Sequence, residues 1–368
     1  MSSVPQQRQE SNHQIDWNDL QDTKFLKHGS GTSLLTAWLR PPNRNRDDTD
    51  SSHDSSPNSP IPVVVKTAKE GVSAAETASV TQELEQEAQV LSALSHPHII
   101  KFYGCGFRNP SPDFQASEAG APAFFLVLER LDGGTLGELL QARSGSGRLF
   151  PFSLGQKNSG LSYMDQLHYA EALATALHYL HHVAVPDAVI IHRDLKPDNI
   201  GFGADGTLKL FDFGLSTSVP RGPPGTRLPR YRLTGHTGSV RYMAPEVALD
   251  QPYNEKVDVY GFSMVLWEMT AGRKPYSTMN VETHRREVCI DGARPAIDRS
   301  LPAEMGALLQ ECWAACPDSR PTLQDVVVPL HLMTRKAESA GGEQRQLPRT
   351  MSPGFRLQQS FTPKSSWF

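Results

Sequence analysis

Cysteine is scarce in this 368-residue chain, and the four present, Cys105, Cys289, Cys312 and Cys316, are too few and too scattered for a disulfide framework. Cys312 and Cys316 share a helical spacing, but no cysteine or histidine pair accompanies them at metal-ligand spacing, so buried free thiols are expected. No apolar run approaches the length that crosses a bilayer, and the opening MSSVPQQRQE has no signal-peptide core. An excess of one charge is missing too. Lysine and arginine total 36 against 40 acidic residues, and a net charge of −4 gives no general attraction to nucleic acid or to a membrane surface. These absences predict a cytoplasmic or nuclear protein, with no nucleic acid and no membrane among its partners.

Several stretches also lack the apolar residues that a packed element needs. Residues 41–60 (PPNRNRDDTDSSHDSSPNSP) are the clearest, and 108–123 and 143–162 lose periodicity in the same way. Such segments cannot bury enough surface to offset the entropy of ordering. They predict insertions near those positions, a disordered arm over 1–20 and a disordered tail over 335–368. Trp17 and Leu20 are the residues of the arm suited to docking on the body. Between these segments lies a body of residues 21–334, long enough for two lobes.

The chemistry gathers in VIIHRDLKPDNIGFGADGTLKLFDFGL, residues 189–215. Apolar runs flank Asp194, Lys196, Asn199 and Asp212, and the turn signal Gly203-Ala204-Asp205-Gly206 folds one carboxylate back toward the other. Two acids, an amide and a lysine on one anchored loop suit the joint positioning of a hydroxyl, a metal and a phosphate. Asp198 and Asp205 have plainer roles as turn formers. Upstream, residues 24–39 suit a hairpin turned at Gly29-Ser30-Gly31, and Val63-Val64-Val65-Lys66 reads as a buried strand ending in a charge. Residues 79–95 carry Val80, Leu84, Ala88, Leu91 and Leu94 at helical spacing, with Glu83 and Glu87 on one face. Strands are expected over 99–107 and 124–128, and a helix over 163–182. The histidines His178, His181 and His182 read as surface or core residues, because no acid accompanies them at ligand spacing.

His192-Arg193-Asp194-Leu195-Lys196-Pro197-Asp198-Asn199, Asp212-Phe213-Gly214 and Ala244-Pro245-Glu246 resemble, in order, three landmarks of eukaryotic protein kinases, over roughly residues 25–332. The resemblance implies an α+β bilobal protein kinase fold. Its N-lobe, residues 21–130, would be a small antiparallel sheet with one regulatory helix; its C-lobe, residues 131–334, would be larger and mainly helical. It implies ATP and Mg2+ as cofactors and protein serine or threonine hydroxyls as substrates. Asp194 matches the base, Lys196 the γ-phosphate cation that marks serine/threonine specificity, and Asn199 and Asp212 the metal ligands. Lys66 matches the lysine on the α- and β-phosphates, and Glu87, ten residues before Pro97, its ion-pair partner.

Gly29, Ser30 and Gly31 match the phosphate cover, Thr36 and Val64 the roof over adenine, Leu128 the gatekeeper, and Glu129 and Leu131 the hinge. Thr36 stands where the family has a valine and Val64 where it has an alanine, and two further positions depart from the family. Leu34 replaces the third glycine of the cover, and Gly201 replaces the leucine beneath adenine, with Phe202 expected to fill the space. Phe213, His192, Leu91 and Phe102 match the apolar stack that joins the lobes. Ser239 matches a brace on Asp194, Glu246 should pair with Arg320, and Asp258 should anchor the catalytic-loop backbone. An upstream activating kinase is expected to act on Thr234 or Thr237, pairing the phosphate with Arg193. Cys312-Trp313, together with Lys196, suggests the tyrosine-kinase-like group. A pseudokinase scaffold is the alternative that Leu34 and Gly201 favour; a small-molecule kinase is disfavoured by the long activation segment.

Overall fold

Val63 and Val65 are fully buried on one side of a strand while Val64 and Lys66 are turned to the other, the two-residue alternation of a pleated strand. In the computed structural model that strand lies at the centre of an antiparallel sheet. The structure describes residues 13–29, 31–41, 59–71, 73–109, 122–143, 161–223 and 226–342. The sheet is built from β1 (Leu20–His28), β2 (Thr32–Leu39) and β3 (Ile61–Ala68), followed by α1 (Ala74–Ser92), β4 (Phe102–Arg108) and β5 (Ala123–Glu129). Its strand order is β1-β2-β3-β5-β4. One face buries Ala37, Leu39, Val63, Val65, Phe125 and Val127. Leu126 and Leu128 join a second core with Leu84, Ala88 and Leu91 of α1.

The helix expected over 79–95 starts earlier, at Ala74. Ser73 caps it, its hydroxyl accepting the Glu76 amide while the Glu76 carboxylate accepts the Ser73 amide.

The second lobe contains α2 (Leu136–Arg143), α3 (Tyr163–His182), the short strands β6 (Ala188–Ile191), β7 (Ile200–Phe202), β8 (Leu208–Leu210) and β9 (Thr217–Pro220), and α4 (Pro245–Ala248). It continues with α5 (Lys256–Ala271), α6 (Val281–His284) running into a wider π turn over Arg285–Ile290, α7 (Ala303–Cys312) and α8 (Leu323–Gly342). Every residue of α5 from Val257 to Met269 is buried, as expected of a helix apolar on all sides. It stops at Gly272, whose φ of +65° places it in the left-handed region that glycine enters at no steric cost. The fold is therefore bilobal α+β. No helix among the described residues is long and apolar enough to cross a membrane.

Two expected boundaries move. Residues 13–19, assigned to the disordered arm, lie ordered on the sheet, because Ile15 and Trp17 pack against its apolar face. Residues 335–342, assigned to the tail, continue α8; Ala337 packs on the core and Lys336 reaches Glu304 at 3.2 Å. The interiors of the three expected insertions (42–58, 110–121 and 144–160), the rest of the arm, the tail beyond 342 and Ser30 lie outside the described residues.

Candidate active site

Three charged side chains from three separate elements meet at the mouth between the lobes. Lys66 of β3 places its ammonium 2.7 Å from Glu87 of α1 and 3.0 Å from Asp212, which follows β8. Burial alone would lower the Lys66 pKa, but the carboxylates of Glu87 and Asp212 more than reverse this and keep the amine protonated. Burial pushes Glu87 up, with Lys66 opposing it. At Asp212 burial also acts upward, yet Lys66, with His192 and Lys196 beyond it, holds the carboxyl below the usual range. The second Glu87 oxygen accepts the Phe213 amide at 3.3 Å, so α1 is tied to the backbone beside Asp212 as well as to the lysine.

The hairpin of β7 and β8 brings the second cluster alongside. Ile200 pairs with Leu210, and the Phe211 amide donates to the Asn199 carbonyl at 3.0 Å, setting Asp212 next to Asn199 across the ladder. Asp194 is 6% exposed, and four donors meet its two oxygens, one of them the partly exposed Lys196 ammonium, which can turn to a phosphate and free its place on Oδ2. Oδ1 accepts from both the amide and the hydroxyl of Ser239 (2.9 and 3.0 Å), and Oδ2 from Lys196 Nζ (2.7 Å) and Asn199 Nδ2 (3.0 Å). Gly238, at φ +95°, makes this approach; a Cβ there would press on the Arg193 carbonyl and on Asp194. Arg193 and Asp212 are themselves non-glycine residues at positive φ (68° and 66°). Left-handed backbone of this kind persists where surrounding bonds over-determine it.

Asp258 supplies those bonds for Arg193. It is 1% exposed and accepts the amides of His192 and Arg193 and the ring of His181, at 2.8, 2.9 and 2.9 Å. Burial would raise its pKa; the His181 hydrogen bond and the nearby imidazoles outweigh it and hold the carboxyl low. His181 is a core histidine, as the sequence allows, but nothing in its local pattern marks a partner 77 residues away. Arg193 donates to the Thr234 hydroxyl at 2.9 Å and to the Tyr253 hydroxyl at 3.1 Å, while Tyr253 donates to the Thr234 carbonyl. Tyr253 is a second residue with no sequence signal. Thr237 instead turns its hydroxyl to the carbonyls of Thr234 and Gly235. Glu246 and Arg320 form a bidentate pair at 2.6 and 2.9 Å.

Among the residues expected to meet a nucleotide, sheet register sets Thr36 opposite Val64 and Val64 opposite Leu128, one row across three strands. The Thr36 hydroxyl is turned to the Lys24 carbonyl at 3.4 Å. Gly29 closes the hairpin through a bond to the Thr32 carbonyl, and a Cβ at Gly31 would touch Val80 of α1 at 2.9 Å. Glu129 has its carboxylate engaged by the Lys101 amide (3.0 Å) and Lys209 (3.2 Å). Beneath this row the expectation for Phe202 is corrected. Phe202 packs on Tyr169, its ring centroid 5.0 Å away. The space over Gly201 belongs to Leu131, whose Cδ1 lies 2.6 Å from where a Cβ would be, with Phe211 at 3.2 Å.

No group of three or more histidine, cysteine, aspartate or glutamate side chains forms a metal cage among the described residues. Asn199 turns its amide nitrogen to Asp194 and leaves its oxygen available, and Asp212 offers the oxygen not bound to Lys66. Two hard oxygen donors suit a magnesium ion whose other positions go to phosphate and water.

A family model described as protein tyrosine and serine/threonine kinase matches residues 48–330. The serine/threonine-protein kinase VIK of Arabidopsis thaliana is 32% identical over 253 residues, 67% of this chain and 50% of that protein. Mitogen-activated protein kinase kinase kinase 7 of Homo sapiens is 30% identical over 250 residues, covering 67% of this chain and 35% of its own. A LIM domain-containing serine/threonine-protein kinase of Dictyostelium discoideum is 30% identical over 247 residues, 67% of this chain and 32% of that protein. The match thus spans between about a third and a half of these relatives.

Proposed function

Because this chain belongs to the protein tyrosine and serine/threonine kinase family, we propose that it is a catalytically active serine/threonine kinase of the tyrosine-kinase-like group. It transfers the γ-phosphate of ATP to serine or threonine hydroxyls of proteins. The observation that carries this reading is the assembled cluster of Lys66, Glu87 and Asp212, a contact that forms only when α1 lies against the cleft.

Asp194 receives the substrate hydroxyl. With one oxygen braced by Ser239 and the other by Lys196 and Asn199, it presents a fixed acceptor, so the hydroxyl is oriented before bond making begins. The hydroxyl oxygen bonds to the γ-phosphorus, the bond from that phosphorus to the bridging oxygen breaks, ADP departs, and the hydroxyl proton passes to Asp194. Lys196, 24% exposed, puts positive charge where the transferring phosphoryl group carries negative charge. Lys66 aligns the α- and β-phosphates, its own position fixed by two carboxylates. Asn199 and Asp212 would hold magnesium, which supplies charge neutralisation on the phosphate oxygens. An upstream kinase acting on Thr234 would set a phosphate against Arg193, the cation already bonded to that hydroxyl.

The competing reading is a nucleotide-binding scaffold without turnover, which Leu34 and Gly201 favour. Transfer of labelled phosphate to a generic basic protein separates the two. Wild type should label it and Asp212→Ala should not; equal background from both supports the scaffold.

A further inference from the structure

An edge strand leaves a row of amides and carbonyls unpaired, and β4 is one edge of the five-stranded sheet. Here that row is met from within the chain. Residues 13–15 run parallel to β4, the Cys105 amide donating to the His13 carbonyl and the Ile15 amide to the Cys105 carbonyl, both at 2.9 Å. Glycine stands on each side of Cys105, and the close approach requires it. A Cβ at Gly104 would run into the His13 carbonyl oxygen, and one at Gly106 into that of Ile15. The side chains lock the contact in place. Trp17 meets Phe125 edge-on at 5.1 Å, and the Arg108 guanidinium lies 4.8 Å from the Trp17 ring. Asp16 caps the turn over Trp17–Asp19, and the Asp19 carbonyl accepts the Arg40 amide at the end of β2.

This segment also reaches the core between the lobes. The His13 ring stacks on Phe102 with centroids 5.7 Å apart and planes 24° from parallel. Phe102 opens β4 opposite Leu128 and packs on the core that contains Leu91 of α1 and Phe213. Phe213 in turn meets His192 at 5.0 Å. Whatever positions Phe102 therefore bears on the packing of α1, and α1 carries Glu87.

We propose that the Gly104-Cys105-Gly106 edge of β4 is a built docking site for an extended peptide, that residues 13–16 occupy it with the turn over Trp17–Asp19 as their lock, and that this docking holds α1 where Glu87 pairs with Lys66. Only the activity readout rests on the kinase reading. The test uses the full chain in three forms beside wild type. Gly106→Val blocks the approach of Ile15, Trp17→Ala removes the lock on Phe125, and His13→Ala removes the ring over Phe102 while leaving both backbone bonds.

Hydrogen exchange is followed at β4 and α1, together with phosphate transfer at varied ATP. Gly106→Val and Trp17→Ala should lose protection at the Cys105 amide and exchange faster along α1. Their kcat/KM for ATP should fall by about fivefold or more, the lower end of ordinary coupling between sites. His13→Ala should keep the Cys105 protection and still speed exchange in α1. Lost protection at Cys105 with unchanged α1 exchange and unchanged turnover overturns the proposal, leaving the segment as a cover for the edge alone. A wild-type chain with no transfer at all goes against the kinase reading, and the exchange at α1 then decides the docking by itself.

Discussion

Replacing Glu246 by glutamine isolates a buried ion pair of the second lobe, the one with Arg320. The Arg320 side chain is 0% exposed, and each of its three nitrogens has a fixed acceptor. Nη1 and Nη2 meet the two Glu246 oxygens at 2.6 and 2.9 Å, Nη1 also meets the Lys256 carbonyl, and Nε meets that of Ala314. Glutamine keeps the shape but removes the charge, and it sets an amide N–H₂ against a guanidinium that can only donate. A buried cation left without its partner costs about 3–5 kcal/mol. For a domain of this size each kcal/mol moves the midpoint by about 2–3 °C, so the melting temperature should fall by about 6–15 °C.

Differential scanning calorimetry reads it directly, with Lys336→Ala as the exposed comparison. That side chain is 78% exposed, and removing its bond to Glu304 should leave the melting temperature nearly unchanged, because solvent screens the pair. The pair Glu246→Leu with Arg320→Met should recover most of the loss, because a matched apolar replacement leaves no uncompensated charge. A drop below about 2 °C for Glu246→Gln, or a double variant as unstable as the single, would refute the reasoning.

Gly238→Ala forces a side chain into a φ of +95° beside the Arg193 carbonyl, which should pull Ser239 off Asp194. Turnover should fall by about 10- to 100-fold, the scale of an ångström-sized misplacement, with little change in the KM for ATP; steady-state kinetics check it. Gly201→Leu should displace Leu131 and raise the KM for ATP, and adding Leu131→Ala should restore much of the loss. Acid should destabilise the fold well before its carboxylates titrate. Burial, reinforced by cationic neighbours, pushes His96, His182 and His284 down to about 4. A depressed imidazole leaves the unfolded chain binding more protons, so its contribution is intact above about pH 6.5 and is lost as pH falls toward 4. Melting temperature should therefore drop between pH 7 and pH 5. His284, buried with Nε2 unpartnered and facing Arg241 and Arg294, should carry part of that slope, so His284→Phe should flatten it.

The parts of the site that were legible are those whose spacing along the chain is itself the constraint. Asp194, Lys196 and Asn199 share one loop, and the Gly203–Gly206 turn returns Asp212 to them, so a linear pattern specifies the cluster. Glu87 was separable from Glu83 only through the family resemblance, which places the lysine's partner ten residues before Pro97. What stayed hidden depends on contacts between distant segments. His181 looked like any buried histidine until Asp258 stood against it, and Tyr253 gave no sign of its bond to Arg193. Leu131 filling the space over Gly201 is a packing outcome between the hinge and β7, which periodicity does not encode. The arm was misjudged for a related reason. Composition averages over twenty residues, whereas Ile15 and Trp17 need only two apolar side chains and two backbone bonds to dock.

The same contrast separates the two halves of the proposed reaction. On the transfer side each key group is restrained more than once: Asp194 by four donors, Lys66 by two carboxylates, Arg193 by its amide on Asp258 and its guanidinium on Thr234 and Tyr253. Over-determined groups of this kind lower the barrier without reorganising during the step. On the side proposed for the nucleotide, Leu34 sits in regular ladder pairing with Lys66, where a third glycine would free the backbone, and Leu131 fills the space over Gly201. Substitutions in the first set should act on turnover and those in the second on affinity for ATP. An effect of Gly201→Leu on turnover at saturating ATP would mean that the packing at this position also places the phosphate, and the two halves would have to be treated as one.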